Sequence, residues 1–402
     1  MLNLFLNLPT KLYLGRGEEN AIGEHIRPYA GKVLLHYGGG SVKRSGLYDR
    51  VAASLNKAGI AFTELGGVQP NPRVTLVREG IALARGFGAE LILAIGGGSA
   101  IDSAKAIAMG VLYDGDVWDI YDKQKHTVAG KALPVATVCT IPAAGSEMSD
   151  SSVISNADTL RKYGHSEECI RPVVSVINPE LYATLPQHQA ANGVADMMMH
   201  IFERYFTRTE NTDVTDALCE GLLKAIMKNA PAFVKNPGNY NAAAEIGFAG
   251  ALAHNNLVGV GRAQDWASHH IEHELSAIYD VAHGAGLAVI CPAWLRYVYR
   301  CDRDGARIFR RRKLVQFAHN IMDVPAEITD PDAAVMQAID KLAAFWESLG
   351  LPSALSELGI PADRLEEMAK KSTGADTAKE FGNGSFLRLN WQDTLAILQS
   401  CA

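Results

Sequence analysis

The chain has 402 residues, 48% hydrophobic and 20% charged, a balance that fits a soluble globular protein too long for one core and therefore expected to form two domains. Its formal net charge of -6 argues against nucleic acid as a partner, because phosphate backbones need concentrated positive surface; the one basic cluster, Arg307 with Arg310 to Lys313, is expected to be a solvated helix face or an interface edge. Six dispersed cysteines without a C-x-x-C pair, no expected secretory leader and no apolar window of membrane-spanning length lead to the expectation of a cytoplasmic protein with reduced thiols and no membrane partner.

The first stretch, "MLNLFLNLPTKLYLG", begins apolar but is interrupted by Asn3, Asn7 and Pro9, so it is predicted to be a strand. "KVLLHY" then reads as a strand followed by a helix from Val42, "ELILAI" as a strand followed by a helix from Ser99, and "LPVATV" as a strand leading into a polar loop. Strand and helix alternating at this spacing predict βαβ units and a parallel sheet. From Pro186 onward the pattern changes. "QAANGVADMMMHIFERYF", "VTDALCEGLLKAIMKNA", "NAAAEIGFAGALAHNNLVGV" and "AAVMQAIDKLAAFWESLG" all carry helical periodicity. The expected organisation is an α/β N-terminal domain with a parallel sheet over 1–185 and an all-helical C-terminal domain over 186–402.

Two predicted strands end in the same tetrad: Gly38, Gly39, Gly40 and Ser41, then Gly96, Gly97, Gly98 and Ser99. Glycine after a strand permits a tight turn and lets a phosphate approach the backbone amides, and the helix that follows offers its positive end to an anion. Each tetrad alone could be a plain strand-to-helix turn; two in one α/β domain point to a dinucleotide. Neither fits G-x-G-x-x-G or the Walker pattern. NAD-selective folds place a carboxylate on the adenosine ribose, which would repel an additional 2′-phosphate. Here Ser41 closes the first turn, with Lys43 and Arg44 just beyond, so NADP(H) is expected in preference to NAD(H); a solvated helix start is the plainer alternative.

In the helical half Asp196 precedes His200 by four residues, which sets carboxylate and imidazole on one helix face. That pair alone is compatible with an ordinary polar face. "DWASHHIEHEL" contains H-x-x-E-H from His269 to His273, the spacing with which two histidines of an inverzincin peptidase hold zinc while the glutamate acts as base. His283 follows fourteen residues after His269, at a predicted helix start. Asp196, His200, His269, His273 and His283 suffice for a mononuclear centre of one carboxylate and three imidazoles, a donor set suited to Fe²⁺ or Zn²⁺. His270 lies at the wrong angle to join both neighbours. His36, His126, His165, His188, His254 and His319 are expected to be structural or exposed.

Read together, "GGGSAIDSAK", "TIPAAGSEMS", "NPELYATLP", "NGVADMMMHIFERY" and "DWASHHIEHELSAIYDVAHGAGLAV" give a sequence that resembles the iron-containing, or group III, alcohol dehydrogenases over essentially its whole length, within the branch of NADPH-dependent butanol dehydrogenases and aldehyde reductases. The resemblance implies a dehydroquinate synthase-like architecture, hydride transfer between NADP(H) and a short-chain aldehyde or primary alcohol, and a homodimer. It implies Asp196, His200, His269 and His283 as metal ligands, with His273 near the substrate as a proton relay or an orienting group. It also implies Gly96 to Ser99 as the pyrophosphate turn, Asp102 and Lys162 near the nicotinamide, Thr140 in the cofactor cleft and Leu181 against the adenine. Two departures stand out. "TIPAAGSE" replaces "TTAGTGSE", which leaves the roles of Thr140 and Ser146 open, and "NPEL" replaces "DPEL", which puts Asn178 where a carboxylate is usual, either near the adenosine or capping a turn. The alternatives are a metal-dependent lyase on the same scaffold, the metallopeptidase, and a non-catalytic sensor.

Overall fold

The computed structural model describes residues 1–122, 130–377 and 380–402; His126 lies outside them. The chain divides into two compact units, one made of Asn7–Leu185 with Asn236–Asn255, the other of Met1–Leu6, Pro186–Lys235 and Asn256–Ala402.

The first unit is built on strands β1 (Lys11–Leu14), β2 (Lys32–Tyr37), β3 (Ala61–Leu65), β4 (Leu91–Gly96), β5 (Val135–Cys139), β6 (Ser151–Asn156), β7 (Arg161–Ser166) and β8 (Val174–Ile177). Six of them form a sheet in the order β1-β8-β5-β4-β2-β3, and every pairing in it is parallel. Helices α1 (Ile22–Ile26), α2 (Ser41–Arg44), α3 (Leu47–Lys57), α4 (Val74–Phe87), α5 (Gly98–Leu112) and α6 (Trp118–Asp122) alternate with the strands. Because both faces are covered, the strands read as continuous apolar runs. Val33, Leu35, Leu91, Leu93 and Ile95 enter one core, and their neighbours Leu34, Ile92 and Ala94 enter the other. Full burial of such a side chain is worth about 1.5–3 kcal/mol.

Three features of this unit depart from the expectations. The first strand is confined to Lys11–Leu14, and Met1, Leu2, Leu4, Phe5, Leu6 and Leu8 before it are exposed. β6 and β7 pair as an antiparallel hairpin in the region expected to be a polar loop. The chain also returns to this unit late, as described next.

The second unit starts with α7 (Gln187–Tyr205) and α8 (Asp213–Lys235). Then α9 (Tyr240–Ala253) packs back in the α/β unit. There Gly145, at φ +68°, lets the loop after β5 approach so closely that an added Cβ would lie 2.5 Å from the Gly250 carbonyl oxygen. The helical unit resumes with α10 (Ala267–Tyr279), α11 (His283–Arg300), α12 (Arg307–Asn320), α13 (Pro331–Ser348), α14 (Leu365–Thr373) and α15 (Trp391–Gln399). Nearly all of α7 from Ala190 to Tyr205 is buried, as befits a helix enclosed by others. The basic cluster on α12 is not the solvated face expected from its charge: Arg310 is fully buried with Asp304 at 2.8 Å and Lys313 is buried with Asp216. Arg311 and Arg312 pair with Asp332 and Glu210 at 3.0 and 3.2 Å. Among the described residues no helix is long and apolar enough to cross a membrane.

Candidate metal centre and nucleotide turns

Four side chains of the helical unit converge. Asp196 and His200 sit one turn apart on α7, His269 is in the first turn of α10 and His283 opens α11. From Asp196 Oδ1 the distances are 3.4 Å to His200 Nδ1, 3.7 Å to His269 Nε2 and 3.8 Å to His283 Nε2. Ligands about 2.1 Å from one tetrahedral metal lie about 3.4 Å from each other, and the ligand atoms of Asp196, His200 and His269 all lie within 4.8 Å of one another, a spacing that suits a single ion, whereas His283 reaches Asp196 but groups at that spacing with Glu272 and His273. Asp196 Oδ1 and His269 Nε2 are buried without a hydrogen-bond partner, and a buried polar atom is costly unless something meets it. One carboxylate with three imidazoles is a chemically coherent donor set for Fe²⁺ or Zn²⁺.

Two carboxylates complete the arrangement: Glu203, which the sequence did not single out, and Glu272, which it offered only as the base of the peptidase alternative. Glu203, one helical turn beyond His200, accepts a hydrogen bond from the His269 backbone at 3.0 Å and shares one with His269 Nδ1. Glu272 does the same for His283 Nδ1, and accepts from the Ser276 hydroxyl. A carboxylate on one ring nitrogen fixes the tautomer that leaves the other ready to coordinate. Burial opposes charge on the His269 imidazole, but Glu203 and Asp196 more than offset it and raise its pKa to about 9; a cation arriving here takes that proton's place. The signal for Glu203 was present in the sequence: Asp196, His200 and Glu203 follow the i, i+4, i+7 spacing of one helix stripe.

The backbone makes this convergence possible. An added Cβ on Gly284 would lie 2.0 Å from the Asn192 carbonyl oxygen, so only glycine lets the start of α11 press onto α7 and carry His283 to Asp196. Trp266, just before α10, holds φ at 66°, an uncommon conformation for a bulky residue. Its ring lies under the Arg204 guanidinium at 4.6 Å and edge-on to His200 and His269. Asp265 anchors the turn by accepting from the Ala267, Ser385 and Phe386 amides at 3.0, 2.8 and 2.6 Å. The peptidase reading fails on this geometry. The His269 and His273 rings stand 6.4 Å apart and perpendicular, and Glu272 is fully buried with both oxygens engaged, so it has no access to a water as base. His273 is half-buried, its ring 5.7 Å from that of His283. His270 is exposed and bonded to Asn383 at 2.7 Å.

In the α/β unit the glycine tetrads follow β2 and β4, which are neighbours in register, with Tyr37 opposite Ile95. The chain runs from β2 outward to β3, then crosses to β4 on the other side of β2. That reversal is a topological switch point, where open parallel sheets bind ligands beyond their carboxyl ends. At the second tetrad an added Cβ on Gly96, Gly97 or Gly98 would meet Ala100, Ile141 or Ala144 at 2.6, 2.9 and 3.0 Å. Gly97 precedes α5 with no side-chain cap, which leaves the first amides of a fifteen-residue helix to an anion.

The other residues that the resemblance implies near the cofactor lie in the same unit. Asp102 accepts from the Ser146 hydroxyl at 2.5 Å and the Val153 amide at 3.0 Å. One turn later Lys105, buried, donates to Ser146, Ser149 and Ser151 oxygens at 2.7–3.1 Å. Thr140 donates its amide to the Gly96 carbonyl at 3.0 Å. Lys162 is buried on β7, opposite Ser155, and Leu181 packs partly buried on one core. Asn178 is buried: its Oδ1 accepts from the Glu180 amide and its Nδ2 donates to Glu19, both at 3.0 Å. It caps a turn, the second of the two roles open to it.

Comparison with known proteins agrees with this geometry. The family described as iron-containing alcohol dehydrogenase matches residues 9–179, and its C-terminal part matches residues 190–402. The NADH-dependent butanol dehydrogenase A of Clostridium acetobutylicum is 41% identical, with 99% of each chain covered. The NADPH-dependent aldehyde reductase YqhD of Escherichia coli is 34% identical over 92% of this chain and 93% of its own. The crystal structure of NADH-dependent butanol dehydrogenase A from Thermotoga maritima superposes with a TM-score of 0.91 at 37% identity, covering 100% of this chain and 99% of that one. The lyase and peptidase alternatives find no support in these matches. The chain belongs to the iron-containing alcohol dehydrogenases, metal-dependent oxidoreductases of alcohols and aldehydes, and stands in their butanol dehydrogenase branch.

Proposed function

We propose that the protein interconverts short-chain aldehydes and primary alcohols with NADP(H), reduction being the working direction, and that Asp196, His200, His269 and His283 hold its Fe²⁺ or Zn²⁺. The observation that carries this reading is the convergence of three imidazole nitrogens within 3.8 Å of Asp196 Oδ1. Bound there, a divalent metal supplies Lewis acidity toward a carbonyl oxygen, and the nicotinamide supplies the hydride. The protein's own residues do the rest. Glu203 and Glu272 fix the His269 and His283 rings, the buried α7 keeps bulk water from Asp196 and His200, and His273, half-buried and near His283, is placed to pass a proton to the product alkoxide. The glycine turns after β2 and β4 receive the dinucleotide, with Gly38 to Ser41, Gly96 to Ser99, Asp102, Thr140, Lys162 and Leu181 as its surroundings. A homodimer fits the exposed apolar side chains of Met1 to Leu8.

Preference for NADP(H) rests on Ser41 closing the first turn without a carboxylate and on the exposed Arg44, whose guanidinium lies over Gly40. Two observations favour NAD(H) as a second reading: Lys43, the other cation of this turn, is already paired with Glu64 at 3.0 Å, and the names of two of the relatives specify NADH. A single set of assays tests both levels. His269→Ala is expected to lose bound metal and at least about a hundredfold in butanal-dependent NADPH oxidation; intact metal content and turnover would remove the ligand assignment. The unmodified enzyme is expected to prefer NADPH by about tenfold in kcat/KM, or roughly 1.4 kcal/mol; equal rates with NADH would hand the cofactor to the second reading.

A further inference from the structure

The side chains beside the first glycine turn form a closed group. Glu64, near the carboxyl end of β3, stands opposite Leu35 of β2, two residues before the strand ends at Tyr37. The Tyr37 hydroxyl donates to Glu64 Oε2 and the Lys43 ammonium donates to Glu64 Oε1, both at 3.0 Å. The same ammonium lies 4.7 Å from the Tyr48 ring centre and 5.3 Å from that of Tyr37, within cation–π range of both. The two rings pack edge to face at 5.7 Å. Contact with Tyr37, and then with Glu64, raises the Lys43 pKa above its ordinary value, so the side chain stays charged at any working pH. A lysine two residues past Ser41 is the natural counter-charge for a phosphate on the adenosine ribose, yet here its charge is engaged by a carboxylate of the neighbouring strand.

We propose that Glu64 is a positioning residue that sets nucleotide preference: by engaging the Lys43 ammonium, with the two tyrosines as its cage, it withholds that cation from a 2′-phosphate and adds a negative charge beside the turn. The proposal rests on the reading that the adenosine end of the cofactor meets the turn after β2; it does not depend on which cofactor the unmodified enzyme prefers. Lys43 and Glu64 are both partly exposed, at 48% and 39%, so their pair is weak enough to be redirected by one substitution.

The test is Glu64→Gln, which keeps the shape and the Tyr37 contact and removes the charge. The ratio of kcat/KM with NADPH to that with NADH is expected to rise about fivefold, through a lower KM for NADPH, with kcat and the NADH constants unchanged. Adding Lys43→Met to Glu64→Gln is expected to abolish the gain, and Glu64→Asp, which keeps the charge, to leave the ratio near that of the unmodified enzyme. A ratio within twofold of the unmodified value in Glu64→Gln, a gain that survives Lys43→Met, or a change confined to kcat overturns the proposal. An unmodified enzyme that prefers NADH but gains on NADPH with Glu64→Gln refutes the NADP(H) reading and leaves this inference standing.

Discussion

Two of the three histidines at the proposed metal centre are steered by carboxylates on their far nitrogens: Glu203 on His269 and Glu272 on His283. Removing such an outer carboxylate typically costs about 10–100-fold in metal affinity. Glu203→Gln is the cleaner test, because the amide still accepts from the His269 backbone while losing the charge that fixes the ring. Competition against a chelator should show affinity reduced by at least about tenfold, and unchanged affinity would leave Glu203 a packing residue. At this scale the sequence was informative where chemistry and spacing coincided. Asp196 and His200 one turn apart, and His283 at a helix start, were visible as candidates. It misled where one motif fitted two chemistries: H-x-x-E-H cannot state that Glu272 faces inward to His283, because that depends on α11 packing back over α10.

Convergence of helices, not of letters, makes the centre, and it turns on one glycine. Gly284 puts the first turn of α11 against the Asn192 carbonyl of α7, and a backbone atom cannot swing aside as a side-chain tip would. Gly284→Ala must therefore push α11 outward and take His283 with it. We expect a loss of about 1–3 kcal/mol in urea-unfolding stability, typical of overpacking, together with loss of metal on dialysis; full retention of metal would show that α11 relaxes without moving His283. Strands and helices themselves were legible, since β2, β4 and β5 are continuous apolar runs and α7, α8 and α13 keep their periodicity. The hairpin was not, because β6 and β7 are rich in serine, arginine and lysine and carry no apolar run. α9 reads correctly as helical, but "YNAAAEIGFAGALA" offers small residues on most faces, and periodicity does not say which unit a helix joins.

Across the whole molecule the proposed ligands are divided by unit. Asp196, His200, His269, His283 and both outer carboxylates belong to the helical unit, whereas both glycine tetrads, Asp102, Lys105 and the Tyr37–Lys43–Glu64 group belong to the α/β unit. The proposed nucleotide turns are held by their own framework. Lys105 gathers the Ser146, Ser149 and Ser151 oxygens, Asp102 ties that loop to the hairpin, and His254, just past the end of α9, supports it with its Nδ1 2.9 Å from the Ala144 carbonyl. None of these contacts uses a metal donor. Stripping the metal with a chelator should therefore abolish turnover while leaving the dissociation constant for NADPH, read from its fluorescence, within about twofold, which corresponds to a coupling free energy of less than about 0.4 kcal/mol between the two ligands. Linkage makes the reciprocal measurement equivalent: saturating nucleotide should leave metal affinity equally unmoved. A tenfold loss of nucleotide binding on chelation would mean instead that the metal orders the nucleotide turns, and that the framework around Lys105 is not sufficient to hold them.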